Sequence, residues 1–201
     1  MAGPERRATY EDLMQVPDHL VAEIIDGELV TSPRPASPHA RAYSVIGQEL
    51  SPFDRKPGAP GGPGGWWILD EPELHLGADV LVPDPVAWRQ DRMRTIPQVP
   101  FFTLAPDWVC EVISPSSARI DRSRKMRIYA RESIEHLWFV DPLARTLEVY
   151  RLEADRWIVA ATDGGDDVVR AEPFDAIELG LERWWLESAE SAEPAAPQAS
   201  R

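Results

Sequence analysis

One eight-residue run, Asp-Trp-Val-Cys-Glu-Val-Ile-Ser (107–114), constrains this chain more than any other. Its β-branched and aromatic content reads as a buried strand. The two-residue period of a strand sets Val109, Glu111 and Ile113 on one face and Trp108, Cys110 and Val112 on the other. Glu111 therefore shares a face with two aliphatic residues. A carboxylate buried there without a partner would cost on the order of several kcal/mol, so the fold has to bring a cation or a donor to it. Earlier in the chain, Val-Pro-Asp-Pro-Val (82–86) sets Asp84 at a bend between the β-like runs Val80 to Val82 and Val86 to Trp88. The chain looks built to bring two acids together.

A basic helix follows. Ser114 to Ser117 reads as a turn, and 121–131 as a helix entered through an Asp or Ser cap. At i, i+4 spacing Asp121, Lys125 and Tyr129 fall on one stripe, an acid, an amine and a phenol on a single face. Asp84, Glu111 and Lys125 together suit a divalent cation with a cationic partner for a phosphate. A plainer reading makes Asp84 a turn cap and pairs Glu111 with an arginine such as Arg127. Spacing alone leaves both open.

At 201 residues and 43% hydrophobic content the chain is long enough for one core and too apolar to be wholly disordered. Its one cysteine, Cys110, excludes an intrachain disulfide, favours a reducing compartment and reads as a buried, inert thiol. No apolar run approaches the roughly 20 residues needed to span a bilayer, and the first residues lack the apolar region of a signal peptide. A cytoplasmic protein with no membrane partner is the expectation. The net charge of −13 argues against a nucleic-acid protein. It is unevenly placed, however: residues 79–131 carry nine Arg and Lys against six Asp and Glu, and 151–201 five against twelve.

Taken in order, residues 1–7 read as a flexible start, 8–186 as one domain and 187–201 as a disordered acidic Ala/Pro/Ser tail. Thr9 caps a short helix that Pro17 ends, and Asp26-Gly27 is a two-residue hairpin signal between Leu20 to Ile25 and Glu28 to Thr31. Glu23 and Glu28 read as solvent-face acids of that hairpin. Ser37 and Pro38 open a second helix with His39 in its first turn, as a surface or capping residue or an auxiliary phosphate or metal contact. The Gly/Pro-rich stretch 56–65 lacks the Gly-Lys-Ser/Thr ending of a phosphate-cradling loop. Trp66 to Leu76 reads as a strand with an acidic middle, placed at an edge or bulge by Pro72. Arg89, Arg92 and Arg94 read either as cations near a substrate mouth or as ordinary surface charge. No Cys/His cluster supports zinc.

The order of Pro83-Asp84, Glu111 before Ser114-Pro115-Ser116, Lys125, Tyr129 and Leu137 to Pro142 resembles the Uma-type restriction endonuclease family of the PD-(D/E)XK nuclease superfamily. The resemblance extends to Glu23 to Glu28 and to His39, and covers about residues 8–186. It implies an α/β (α+β) fold: a restriction-endonuclease-like core with a mixed β-sheet flanked by helices, preceded by a helix and a β-hairpin. It implies Mg²⁺, or Mn²⁺ in its place, held by Asp84 and Glu111 with the Val112 carbonyl. It also makes Glu23, His39 and Tyr129 auxiliary, Tyr129 being equally a core aromatic. The superfamily places a lysine two residues after the strand acid, where this chain has Ile113, and the resemblance makes Lys125 its replacement. The implied activity is hydrolysis of phosphodiester bonds in nucleic acid, DNA foremost. The alternatives are a binding or assembly domain on a nuclease-like scaffold and a metal-dependent hydrolase of a smaller phosphodiester. Eight tryptophans and an exposed β edge are compatible with a homodimer.

Overall fold

The computed structural model describes residues 6–186. The expected disordered tail, and all of the flexible start except Arg6 and Arg7, lie outside them. A capping box opens the first helix, α1 (Tyr10–Leu13). The Asp12 N–H donates to the Thr9 hydroxyl, and the Asp12 carboxylate accepts from the Thr9 N–H at 2.8 Å. Strands β1 (Leu20–Ile25) and β2 (Glu28–Pro33) then pair antiparallel around Asp26 and Gly27, at φ 54° and 85°. Positive φ at both central residues matches the turn to the twist of its strands. Helix α2 (Ser37–Leu50) has Pro38 in its first turn, but Ala36 occupies the cap position, so the expected Ser37 cap is not made.

The reading of Trp66 to Leu76 as one strand is corrected. β3 (Trp66–Asp70) ends where Glu71 turns to φ 45° before Pro72, and β4 (Leu74–Leu76) belongs to a different sheet. Proline cannot donate to a ladder, and the left-handed residue before it redirects the chain. β5 (Asp79–Leu81), β6 (Pro85–Arg89) and β7 (Trp108–Val112) follow. The helical stretch after β7 is α3 (Ala118–Ile120), a π-turn (Asp121–Lys125) and α4 (Met126–Arg131). β8 (His136–Asp141), β9 (Thr146–Glu153) and β10 (Arg156–Gly164) form a meander.

Two sheets carry the molecule. The larger has the order β10-β9-β8-β7-β6-β3, parallel only between β7 and β8, and the smaller has β2-β1-β5-β4. The parallel pair requires a crossover, and the helical stretch supplies it. Trp108, Cys110 and Val112 face α2, where Val45, Ile46 and Leu50 are fully buried and each contributes about 1.5–3 kcal/mol of apolar burial. Val109 and Ile113 face the other way, against Ile128, Tyr129, Leu137 and Phe139. The two-faced reading of this strand holds, and with it the mixed sheet flanked by helices. Cys110 is fully buried, and burial pushes its thiol pKa well up, which suppresses the reactive thiolate. Among the described residues no helix is long and apolar enough to cross a membrane.

Candidate active site

β6 and β7 run antiparallel with Val86 opposite Val109, so the start of β6 lies beside the end of β7. That register carries Asp84, just ahead of β6, to Glu111 near the end of β7. The Val112 N–H donates to Asp84 Oδ2 at 2.7 Å. The bond ties the Pro-Asp bend to the acid-bearing strand through the backbone, leaving the orientation of neither to chance.

The crossover brings the lysine. Within the π-turn the Met126 N–H reaches back to the Asp121 carbonyl, one residue further than an α-helix allows. Asp121 and Lys125 both end up 3% exposed. Lys125 Nζ stands 2.7 Å from Glu111 Oε1, 3.1 Å from Glu23 Oε1 and 3.6 Å from Asp121 Oδ1. Tyr129, one turn on, is fully buried, and its hydroxyl donates to the same Glu111 oxygen. Glu23 Oε1 also accepts from the Val82 N–H at 2.9 Å, next to the Asp84 bend. The reading of Glu23 as a solvent-face acid is therefore corrected: it is 8% exposed and points inward. His39 completes the group, with Nε2 3.3 Å from Asp84 Oδ2 and a buried Nδ1 that has no hydrogen-bond partner.

Three acids, Glu23, Glu111 and Asp121, thus surround one buried ammonium, and a fourth, Asp84, stands beside His39, an excess of negative charge in a poorly solvated place. Burial pushes the Glu111 carboxyl well up, and Asp121, Asp84 and Glu23 add to the rise against the pull of Lys125. Asp121 is raised for the same first reason, burial. For Lys125 burial acts downward, but Glu111 and Glu23 outweigh it and the amine is held well above its ordinary range, hence cationic. At His39 the pull of burial is likewise overcome by Asp84, and the imidazole is biased toward its charged form.

All six sequence-derived candidates, Asp84, Glu111, Lys125, Glu23, His39 and Tyr129, meet in this cluster. Asp121 joins them and had been read as a helix cap. Its i, i+4 spacing to Lys125 was the signal, but a π-turn has no sequence signature that would have turned it inward. The alternative partner for Glu111 is corrected too, since the Arg127 side chain is 72% exposed and lies 3.7 Å from Asp26. Arg89 and Arg92 are not at the mouth of the cluster. They sit at the far end of the β6–β7 pair, where the Arg89 N–H and Arg92 Nη1 bond Asp107 at 2.8 and 2.6 Å. Arg34 lines the mouth instead, with the Ser114 to Ser117 turn, around a cavity of about 230 Å³.

Hard oxygen donors of this kind suit Mg²⁺ or Mn²⁺ rather than zinc. Among the described residues no three His, Cys, Asp or Glu side chains form a ready cation cage. Mg²⁺, however, is commonly held by one or two carboxylates, its other positions going to water and phosphate. Asp84 and Glu111 meet that requirement. Each spends one oxygen, Oδ2 and Oε1, on protein partners, and the other, Oδ1 and Oε2, has none among the described residues.

The family described as Uma2, "Putative restriction endonuclease", matches residues 8–182. Among solved structures, a putative nuclease belonging to DUF820 from Anabaena variabilis ATCC 29413 shares the fold. It has 20% sequence identity and a TM-score of 0.69, over 88% of this chain and 97% of that one. No curated protein matches.

Proposed function

This chain belongs to the Uma2 restriction endonuclease family, and from that membership and the buried cluster we propose that it is a metal-dependent endonuclease cutting phosphodiester bonds in DNA. The observation that carries the reading is the meeting of Asp84, Glu111 and Lys125 from three separate elements in one cavity, with Lys125 Nζ 2.7 Å from Glu111. Asp84 and Glu111 would hold Mg²⁺, or Mn²⁺ in its place, together with the Val112 carbonyl. Such a cation activates water and neutralises charge at phosphorus.

The protein's own groups divide the remaining work. Lys125, kept cationic by its acids, stabilises negative charge as it builds on the phosphoryl oxygens and orients the attacking water. Tyr129 is too deep to touch substrate, so its hydroxyl fixes the Glu111 carboxylate. His39, beside Asp84 and biased toward its charged form, steadies that carboxylate and faces an incoming phosphate. Glu23 and Asp121 hold the amine in place. The working unit is residues 8–186, acting in the cytoplasm, where the single thiol stays reduced. Two copies, paired through the exposed β10 edge, would offer one site to each strand of a duplex.

The size of the cavity, about 230 Å³, favours one second reading, a hydrolase of smaller phosphodiesters. Supercoiled plasmid incubated at low salt with Mg²⁺, Mn²⁺ or EDTA decides between them. The wild type is expected to nick or linearise the plasmid only with metal, and Glu111→Ala to lose at least about 10²-fold in rate. Turnover of a chromogenic phosphodiester with the plasmid left intact would move the assignment to the second reading. Metal-independent cleavage that survives in Glu111→Ala would remove both.

A further inference from the structure

A lysine on the strand would be fixed by the ladder on either side of it. Here the strand position is Ile113, and the amine hangs on four rotatable bonds from a π-turn, so something else has to fix it. We propose that the β1–β2 hairpin is that device: it clasps the π-turn through Arg124 and the amine through Glu23, and its docking sets where Lys125 stands.

Arg124, the residue before the lysine, spends its whole guanidinium fork on the hairpin turn. Nε bonds Asp26 Oδ2 at 3.0 Å, Nη1 bonds Glu28 Oε2 at 2.6 Å, and Nη2 donates to the Ile25 carbonyl. Its side chain is only 22% exposed. At the last residue of α4, Arg131 bonds Asp79 Oδ2 at 2.9 Å, and the other oxygen of Asp79 accepts from the Asp26 N–H at 2.6 Å. The helical stretch is therefore held to the same hairpin turn at two points on either side of Lys125. On the inner side Glu23, from β1, shares Oε1 between the Lys125 ammonium and the Val82 N–H. The hairpin thus touches both the lysine and the bend that carries Asp84. A fork with several fixed acceptors defines a position more sharply than the same number of point charges. Arg124, in this account, is a positioning residue acting on Lys125 and not on substrate.

The idea rests on Lys125 being the catalytic amine for its consequence in activity, but its structural half can be read separately. The chain has two lysines, Lys56 and Lys125, of which Lys56 is exposed. Brief acylation of the native protein with N-acetoxysuccinimide, followed by peptide mass spectrometry, gives the Lys125:Lys56 labelling ratio with its own internal reference. Arg124→Gln leaves every acid around the amine in place, and is expected to raise that ratio by about tenfold. Glu28→Gln, a milder change at an exposed partner, should raise it less while the protein melts close to wild type. Arg122→Gln, which loses the pair with Glu148 and the stack over Phe139 but no contact with the hairpin, should leave it unchanged. In plasmid cleavage the clasp predicts a kcat loss of about 10- to 10²-fold for Arg124→Gln with KM little altered, as expected for a misplaced group. An unchanged ratio in both Arg124→Gln and Glu28→Gln overturns the proposal. A raised ratio in a protein whose wild type cleaves nothing upholds the clasp and overturns the nuclease reading.

Discussion

The two ends of the β6–β7 pair each bury an acid, and they treat it oppositely. At one end Asp107 is 1% exposed and has more partners than charge. The Arg89 N–H and the Arg92 guanidinium bond it at 2.8 and 2.6 Å, with Arg89's own guanidinium at 4.0 Å. At the other end Glu111 is 3% exposed, and it shares one lysine with Glu23 and Asp121, while Asp84 has His39. The first arrangement is closed: each carboxylate oxygen accepts a hydrogen bond and an arginine matches the charge. The second is left short of positive charge, which costs stability in the free protein and gives an incoming cation something to neutralise. A buried acid marks a site when its surroundings leave charge unbalanced, and marks architecture when they do not.

That contrast can be broken most sharply at Lys125. Lys125→Met leaves the acids facing one another with no cation, and is expected to lower stability by about 3–5 kcal/mol at neutral pH. Millimolar Mg²⁺ should return more of the loss than it adds to the wild type; thermal melts with and without the metal measure it, and no metal-dependent gain would count against the imbalance. At the other end, Asp107→Asn keeps the shape but leaves Arg92 without its counter-charge. Because the Arg92 side chain is 42% exposed, the cost should be smaller, about 1–3 kcal/mol, and insensitive to Mg²⁺. Plasmid cleavage by Asp107→Asn below its melting temperature should match wild type, and a loss there would mean that the far end takes part in function.

The exposed pair of Glu148 with Arg122 at 2.7 Å sets the scale for an ion pair with neither role. The hydrogen bond from Arg122 is the main cause holding the Glu148 carboxyl below its ordinary range. The folded state therefore binds that proton less readily than the unfolded chain does. The resulting stability is present above the ordinary glutamate pKa and is lost as pH falls through the depressed value. Denaturant titrations from pH 7 to pH 3 should show Glu148→Gln losing less stability than wild type on acidification. The difference should stay below about 1 kcal/mol, since solvent screens a half-exposed pair.

How much of this was legible beforehand varied with the distance over which the signal acts. Asp26-Gly27 announces its hairpin because a tight turn is a matter of two residues. The faces of 107–113 follow from the period of one strand. Lys125 shares a helix stripe with Asp121 and Tyr129, and the family resemblance makes it the replacement for the lysine that Ile113 displaces. Three things were not legible. Pro72 was seen to interrupt a strand, but not to send the chain into another sheet, which depends on β5 waiting to receive β4. The sequence leaves Arg89 and Arg92 open between cations at the mouth and ordinary surface charge, because it does not show how far the strand after Asp84 carries them. The strand between them carries Arg89 about 17 Å away from Asp84, five steps at roughly 3.3 Å per residue. Spacing alone makes Glu23 an exposed acid, because nothing local shows that β1 borders β5, and only the family resemblance draws it toward the site.

The sequence by itself determined which residues could do chemistry: an acid at a Pro-Asp bend, an acid at a strand position where burial demands a partner, and a lysine on the stripe that follows. Local periodicity and turn chemistry are properties of neighbouring residues, so they can be read without the fold. Which groups share one cavity was decided by the tertiary structure alone. Strand register puts Asp84 beside Val112 and Asp107 beside Arg89, the π-turn rotates Asp121 and Lys125 inward, and the docked hairpin supplies Glu23. Each of these joins residues far apart in the chain, and only packing, which minimises exposed apolar surface and unmatched buried charge over the whole molecule, can choose among the pairings that the sequence leaves open.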